Sequence, residues 1–181
     1  MNNRSGAYLG SMRPEELLTP TPAGLCCPPG SFHVDPVRPV ARALITHAHS
    51  DHARPGHGAV LATAETLDLM RLRYGDNFAV SVQPIRYGEP VRLDRVTVSL
   101  HPAGHVLGSA QILIEANGLR VVASGDYKNV ADPTCRPFEP SAAMFSSPKQ
   151  LSGFRCSVTA TRGRRSRSSC GRSACFPSAR T

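Results

Sequence analysis

The hexapeptide at residues 47–52 constrains the fold more than any other feature of the chain. It reads His-Ala-His-Ser-Asp-His, which places three imidazoles and a carboxylate close together. With 7 His in 181 residues, the odds of a chance occurrence are on the order of one in a few thousand. Imidazole nitrogens and carboxylate oxygens suit zinc, and also manganese or iron. The hexapeptide therefore predicts a fold that gathers these side chains around divalent metal, with a solvated His-rich loop as the alternative.

The sequence around the hexapeptide places it at the end of a strand. Residues 43–46 form a short apolar run that reads as a buried strand. Ser50 and Asp51 are favourable residues for a helix N-terminus, so a helix is predicted to begin within the hexapeptide. Sites in α/β sheets occur at such strand ends, which favours the metal interpretation.

Two further candidate ligands are His105 and Asp126. His105 lies between Gly104 and Gly108, and glycine allows the backbone to approach a site closely. Asp126 follows an apolar strand at residues 121–124, where its two oxygens could bridge two cations. The alternatives are a turn histidine and a turn-forming or capping aspartate. The remaining histidines, His33, His57 and His101, are assigned to supporting or surface positions. Of these, His101 competes with His105 for its role as a ligand.

Hydrophobic periodicity predicts an α/β protein with a mixed sheet. Strands are expected at residues 31–35 and 41–46, and at residues 91–100 with a break near Asp94, while residues 59–62 form a short apolar run. A helix is expected at residues 64–74, capped by Thr63 and stopped by Gly75. Asn117-Gly118 predicts a tight hairpin between strands at residues 110–115 and 119–124.

The net charge of +8 does not indicate a basic surface on the folded part, because the excess lies in the C-terminal tail. Residues 141–181 contain 8 basic and no acidic residues, together with 10 Ser, whereas residues 1–140 are neutral overall. Three readings stay open: a solvated disordered tail, a basic arm that binds nucleic acid, and an out-of-frame translation. We therefore expect a folded domain at 1–140 and a Ser/Arg-rich aberrant or disordered tail at 141–181.

The cysteines and the apolar segments bear on location. The 6 Cys have neither zinc-ribbon nor disulfide-framework spacing, which favours reduced thiols. No apolar run reaches the about 18 residues that span a bilayer, and the N-terminus lacks an apolar signal core. The sequence thus predicts a cytoplasmic protein without membrane association.

Four stretches of the chain resemble a known group of proteins. Residues 32–40, 46–58, 101–111 and 124–128 are similar to the bacterial ligase-associated DNA exonucleases. These belong to the β-CASP branch of the metallo-β-lactamase fold, with Artemis and the mRNA 3′-end processing endonuclease. The resemblance implies an αββα sandwich with metals at one edge of the sheets. This chain would contain the N-terminal half of that sandwich.

The resemblance also implies roles for individual residues. One metal would be held by His47, His49 and His105, the second by Asp51 and His52, and Asp126 would bridge them. Asp35 matches the family's first motif and would orient the ligands, which makes Asp35 and Asp51 the catalytic candidates beside the metal set. The implied cofactors are two divalent ions, Zn²⁺ or else Mn²⁺, which activate water and polarise a phosphodiester.

The implied function is a metal-dependent DNA exonuclease of repair, associated with a DNA ligase and a helicase, with RNA as a second possible substrate. The family continues with further ligands and a lid that this chain lacks after Glu139, so we expect the 181-residue chain to fold poorly alone and to show little or no nuclease activity. One alternative is a hydrolase of the same fold that acts on a thioester or lactam. The other is a non-catalytic metal-binding fragment with a basic, nucleic-acid-binding tail.

Overall fold

A computed structural model describes residues 12–140 and the backbone of residues 158–162. The helices are α1 (Pro14–Leu17) and α2 (Ala64–Tyr74), with a 3-10 turn at Pro28–Gly30. The strands in chain order are β1 (Thr19–Thr21), β2 (Gly24–Cys27), β3 (Phe32–Val34), β4 (Arg42–Leu44), β5 (His57–Ala62), β6 (Ala79–Pro84), β7 (Val91–Leu93), β8 (Val96–Pro102), β9 (Ala110–Ala116), β10 (Leu119–Ala123) and β11 (Val158–Arg162).

The strands form two sheets. The first has the order β1-β2-β3-β4-β5-β6; it is antiparallel from β1 to β3 and parallel from β3 to β6. The second has the order β11-β10-β9-β8-β7 and is antiparallel throughout. The predicted mixed α/β architecture is therefore confirmed.

A shared apolar core holds the two sheets together. Phe32 and Leu44 of the first sheet belong to the same buried cluster as Ile112 and Val121 of the second. A fully buried side chain of this size contributes about 1.5–3 kcal/mol relative to an exposed one. A second cluster packs α2 against the outer face of the first sheet. The described elements thus form a helix layer and two sheets, and the fourth layer of an αββα sandwich stays a prediction.

Helix α2 matches its predicted bounds. The Thr63 hydroxyl accepts a hydrogen bond from the Thr66 amide at 3.3 Å, which satisfies a free donor of the first turn. Leu67 and Met70 are buried against the first sheet because they lie on one face of the helix. Gly75, with φ of +82°, ends it in a conformation that glycine adopts without steric cost.

The predicted hairpin is also confirmed. Asn117 and Gly118 have φ of +49° and +77°, the left-handed pair that a type I′ turn requires. Asp94, with φ of +48°, makes the predicted break between β7 and β8. The sequence analysis did not predict β6, although Val80 and Val82 alternate with Ser81 and Gln83; its side chains are largely exposed.

The prediction that a helix begins within the hexapeptide is wrong. Residues 50–52 make a single turn, in which the amides of His52 and Ala53 both donate to the carbonyl of His49, at 3.0 and 2.7 Å. Pro55 disfavours the helical conformation for the residue before it and lacks the amide donor that a second turn needs. The chain therefore turns directly into β5.

The tail prediction is tested only in part. β11 pairs with β10 from Leu119↔Arg162 to Ala123↔Val158, which differs from the irregular structure predicted for those five residues. The rest of the 141–181 tail lies outside the described residues, and the domain division at residue 140 stays a prediction. In the part of the chain that is described, no helix has the length and apolar composition to cross a bilayer.

Candidate metal centre

Three loops that follow strands bring the predicted ligands together. The hexapeptide follows β4, His105 follows β8, and Asp126 follows β10. One ligand atom from each of four residues lies within 4.8 Å of the others: His47, His49, His105 and Asp126. The structure therefore unites residues that are up to 79 positions apart in the chain.

The first group, formed by those four residues, has closely spaced ligand atoms. Nδ1 of His49 lies 3.0 Å from Nε2 of His47 and 3.3 Å from Nε2 of His105. Oδ2 of Asp126 lies 3.9 Å from Nε2 of His47 and 3.8 Å from Nε2 of His105. A tetrahedral zinc with bonds of about 2.0–2.1 Å separates its ligand atoms by about 3.3–3.4 Å. The donor set and its spacing fit such an ion.

A second group lies on the other side of Asp126. Nε2 of His52 is 3.8 Å from Oδ1 of Asp126 and 3.9 Å from Oδ2 of Asp51. The two oxygens of Asp126 thus face different groups. Nε2 of His52 is buried and has no hydrogen-bond partner among the described residues. An unpartnered buried nitrogen is costly, and a cation between it and the two carboxylates would satisfy it.

Asp35 orients His52 without facing the site. Its Oδ2 lies 2.8 Å from Nδ1 of His52 and accepts the hydroxyl of Thr46 at 2.6 Å. Its Oδ1 accepts the Thr46 amide at 2.8 Å. Because Asp35 holds the proton on Nδ1, the Nε2 lone pair of His52 points toward Asp51 and Asp126. The structure thus places Asp35 at Nδ1 of His52, whereas Asp51 and Asp126 lie near its Nε2.

The electrostatics of the histidines differ between the two groups. Burial, with smaller contributions from neighbouring charges, lowers the pKa of His47 to about 3, so its imidazole is neutral and able to coordinate at neutral pH. Burial also lowers the pKa of His105, against the charge of Asp126. At His52, burial opposes the charged form, but the hydrogen bond to Asp35 and the nearby carboxylates outweigh it and raise the pKa. The second group therefore favours positive charge beside His52, whereas the first group disfavours it at His47.

The loop that carries His105 is fixed by contacts that the sequence analysis missed. Oγ of Ser109 accepts the amides of His105 and Val106, at 3.0 and 3.2 Å. The carbonyl of Gly108 accepts the hydroxyls of Thr63 and Thr66, at 2.7 and 3.1 Å. The start of α2 therefore anchors the turn. The Gly-His-x-x-Gly-Ser spacing was the available signal, but it does not reveal which groups hold the turn.

Thr46 is the second residue that the sequence analysis missed. Its hydroxyl bonds Asp35 and lies 3.0 Å from Nδ1 of His47, and its carbonyl accepts the amide of Ala110 at 2.7 Å. It thereby connects the hexapeptide to both Asp35 and the second sheet. As the last residue of an apolar run, Thr46 carries no distinctive sequence signal.

The other histidines lie outside both groups. His101, the competitor for the role of His105, lies on β8 with Nε2 3.0 Å from the hydroxyl of Ser99. Nδ1 of the buried His57 accepts the amide of Val40 at 3.3 Å. His33 lies within β3. The geometry thus favours His105 over His101.

Gly125 gives a prediction about stability. A Cβ at this position would lie 2.7 Å from both Cβ and Oγ1 of Thr46, and φ is +57°. We expect Gly125→Ala to lower the free energy of unfolding by about 1–3 kcal/mol through overpacking, beyond the cost of a left-handed alanine. Gly118→Ala is the matched control, since its φ is +77° and nothing lies within 4 Å. Equal losses for both variants in denaturant unfolding would contradict the close contact.

Comparison with known proteins gives several relatives, although no family model matches the chain. A protein described as a probable DNA ligase from Opitutus terrae is 36% identical, over 63% of this chain and 12% of the relative. Ribonuclease TTHA0252 from Thermus thermophilus is 32% identical, over 59% of this chain and 31% of the relative. Cleavage and polyadenylation specificity factor subunit 3-I from Arabidopsis thaliana is 26% identical, over 67% of this chain and 22% of the relative. The matched region thus spans 12% to 31% of the length of these relatives.

Proposed function

The chain belongs to the β-CASP branch of the metallo-β-lactamase family, and from this membership we propose that it carries the metal centre of a metal-dependent nuclease, acting as a DNA exonuclease. The observation that supports this best is the position of Asp126. Its oxygens face two different ligand groups at 3.8–3.9 Å. A carboxylate shared by two cations about 3.5–4 Å apart is typical of enzymes that cleave phosphodiesters.

The proposed ligands divide as the sequence resemblance implied. His47, His49 and His105 hold one metal, Asp51 and His52 hold the other, and Asp126 binds both. When bound, such cations lower the pKa of water and neutralise charge on the phosphodiester. Zn²⁺ is the proposed ion because of the imidazole-rich donor set, and Mn²⁺ is the alternative.

The protein's own residues prepare the site for this chemistry. Burial keeps His47 neutral, and Asp35 fixes the tautomer of His52. Asp51 is proposed as both ligand and catalytic group, since its carboxylate is 42% exposed at the rim, where solvent and substrate enter. Attack of water on the phosphorus, in line with the leaving 3′-oxygen, would give a 5′-phosphate and a 3′-hydroxyl.

DNA is the proposed substrate, and a DNA ligase and a helicase are the proposed functional partners in the cytoplasm. Support comes from the ligase-named relative and from the motif resemblance to ligase-associated exonucleases. The ribonuclease relative keeps RNA as the second substrate to be tested. For the whole domain we propose the αββα sandwich of the family, in which a further helix layer covers the second sheet.

The test compares substrates under single-turnover conditions, with protein in excess so that weak activity is measurable. The purified chain is incubated with Zn²⁺ or Mn²⁺ and end-labelled single- and double-stranded DNA, RNA, a thioester or a lactam. We expect slow, chelator-sensitive cleavage of DNA that is lost in Asp126→Asn. Metal-dependent hydrolysis of the thioester or lactam alone would overturn the nuclease proposal. Two bound metals without any turnover would favour the non-catalytic fragment.

A further inference from the structure

An exposed aromatic residue directly follows one of the proposed metal ligands in the chain. Tyr127 follows Asp126 in the chain and is 48% exposed, whereas the other aromatic residues within 12–140 are buried or half-buried. Its ring stacks on Phe138 with centroids 5.2 Å apart and planes 27° from parallel. Phe138 packs against one ring face, and Tyr127 stays 48% exposed despite this contact.

The stacked pair is tied to both ligand-bearing loops. A Cβ on Gly104 would lie 2.8 Å from the amide nitrogen of Phe138, so Phe138 packs against the residue before His105. The amide of Lys128 donates to the carbonyl of Ala103 at 3.0 Å, which joins the loop after Asp126 to the same turn. Tyr127 is therefore the neighbour of Asp126 in the chain, and Phe138 packs against Gly104, the neighbour of His105.

We propose that Tyr127, backed by Phe138, is a stacking platform for an unpaired nucleobase of the strand that enters the metal centre; this rests on the proposed function and specifies its substrate as single-stranded or frayed nucleic acid. Every base has a π face, so an open tyrosine ring binds bases without sequence preference. Paired bases inside a duplex have no free face to offer. The platform thus selects strand ends and single strands.

The two loops that carry the proposed ligands also carry one basic and one apolar side chain, Lys128 and Leu107. The amine of Lys128 pairs with Asp132 at 3.0 Å. Leu107, two positions after His105, is 47% exposed on the other ligand loop. Aromatic and apolar surface next to a cluster of polar ligands is the combination that suits a base next to its phosphate.

The probe is a single-stranded oligonucleotide with cleavage-resistant phosphorothioate linkages and 2-aminopurine, whose fluorescence falls when the base stacks. The oligonucleotide is titrated with the Zn²⁺-loaded full chain. It is made in matched DNA and RNA forms, so that binding of the two nucleic acids can be compared. We expect quenching by the wild type, and Tyr127→Ala to lose it and bind roughly 5- to 150-fold more weakly. Tyr127→Phe is expected to restore both, because it keeps the ring.

The control variant is Leu72→Ala, at an 85% exposed position on α2. Zinc stoichiometry of Tyr127→Ala should equal that of the wild type. Quenching that survives in Tyr127→Ala, or is absent in the wild type, overturns the platform. Quenching without metal-dependent cleavage would instead refute the proposed nuclease while leaving the platform supported, so the two failures are distinguishable.

Discussion

Asp126→Asn is expected to remove both bound metals and with them all metal-dependent hydrolysis. The carboxylate directs one oxygen to each ligand group, at 3.8 Å from His105 and 3.8 Å from His52. An amide has a single acceptor oxygen and no charge, so it serves one group at most. Loss of residues that merely orient ligands costs about 10–100-fold in metal affinity, and loss of a shared ligand should cost at least about 100-fold at each position.

Zinc affinity is measured by competition with a chromophoric chelator, alongside cleavage of labelled DNA. Asp68→Asn is the matched control, because Asp68 is an exposed aspartate on α2 that pairs with Arg71. It should leave zinc binding unchanged. Two tightly bound zinc ions in Asp126→Asn would show that this residue does not bridge them.

Asp35→Asn is expected to weaken the second group more than the first. Asp35 faces three donors: the amide and hydroxyl of Thr46, and Nδ1 of His52. The asparagine NH₂ would oppose the Nδ1–H of His52, so the proton moves to Nε2, the nitrogen proposed to bind metal. We expect a loss of about 10–100-fold in affinity for the second zinc and of about 1–3 kcal/mol in unfolding free energy.

A closely matched control exists for this substitution. Asp94 is also an aspartate with positive φ, +48° against +43° for Asp35, and it lies in an exposed turn. Asp94→Asn keeps the backbone demand and removes one charge, so it should change neither zinc affinity nor stability by more than a few tenths of a kcal/mol. If both variants bind the second zinc equally well, Asp35 does not position His52.

Local sequence signals predicted the elements whose causes are local. Helix α2 and the Asn117-Gly118 hairpin follow from caps and turn residues within a few positions. The helix expected after Ser50 failed because Pro55, five residues further on, outweighs a favourable N-terminus. β6 was missed although its apolar and polar residues alternate; it pairs with β5 and leaves most of its side chains exposed.

The candidate site divides in the same way. The hexapeptide was visible as a ligand cluster, since its residues are adjacent in the chain. The glycines around His105 favoured it over His101, and the anchoring of Gly108 by α2, which no local pattern contains, fixes the turn that carries it. The contacts of Thr46 with Asp35 and Ala110 depend on packing between distant strands, which a single sequence does not contain.

The most direct test of the account locates the metals. Crystals of the chain grown with zinc are measured above and below the zinc absorption edge, and an anomalous difference map is calculated. Two peaks are expected. One should lie within about 2.0–2.2 Å of ligand atoms of His47, His49 and His105, and the other equally close to Asp51 and His52, with Asp126 contacting both. A map with no peak between the hexapeptide, His105 and Asp126 would contradict it.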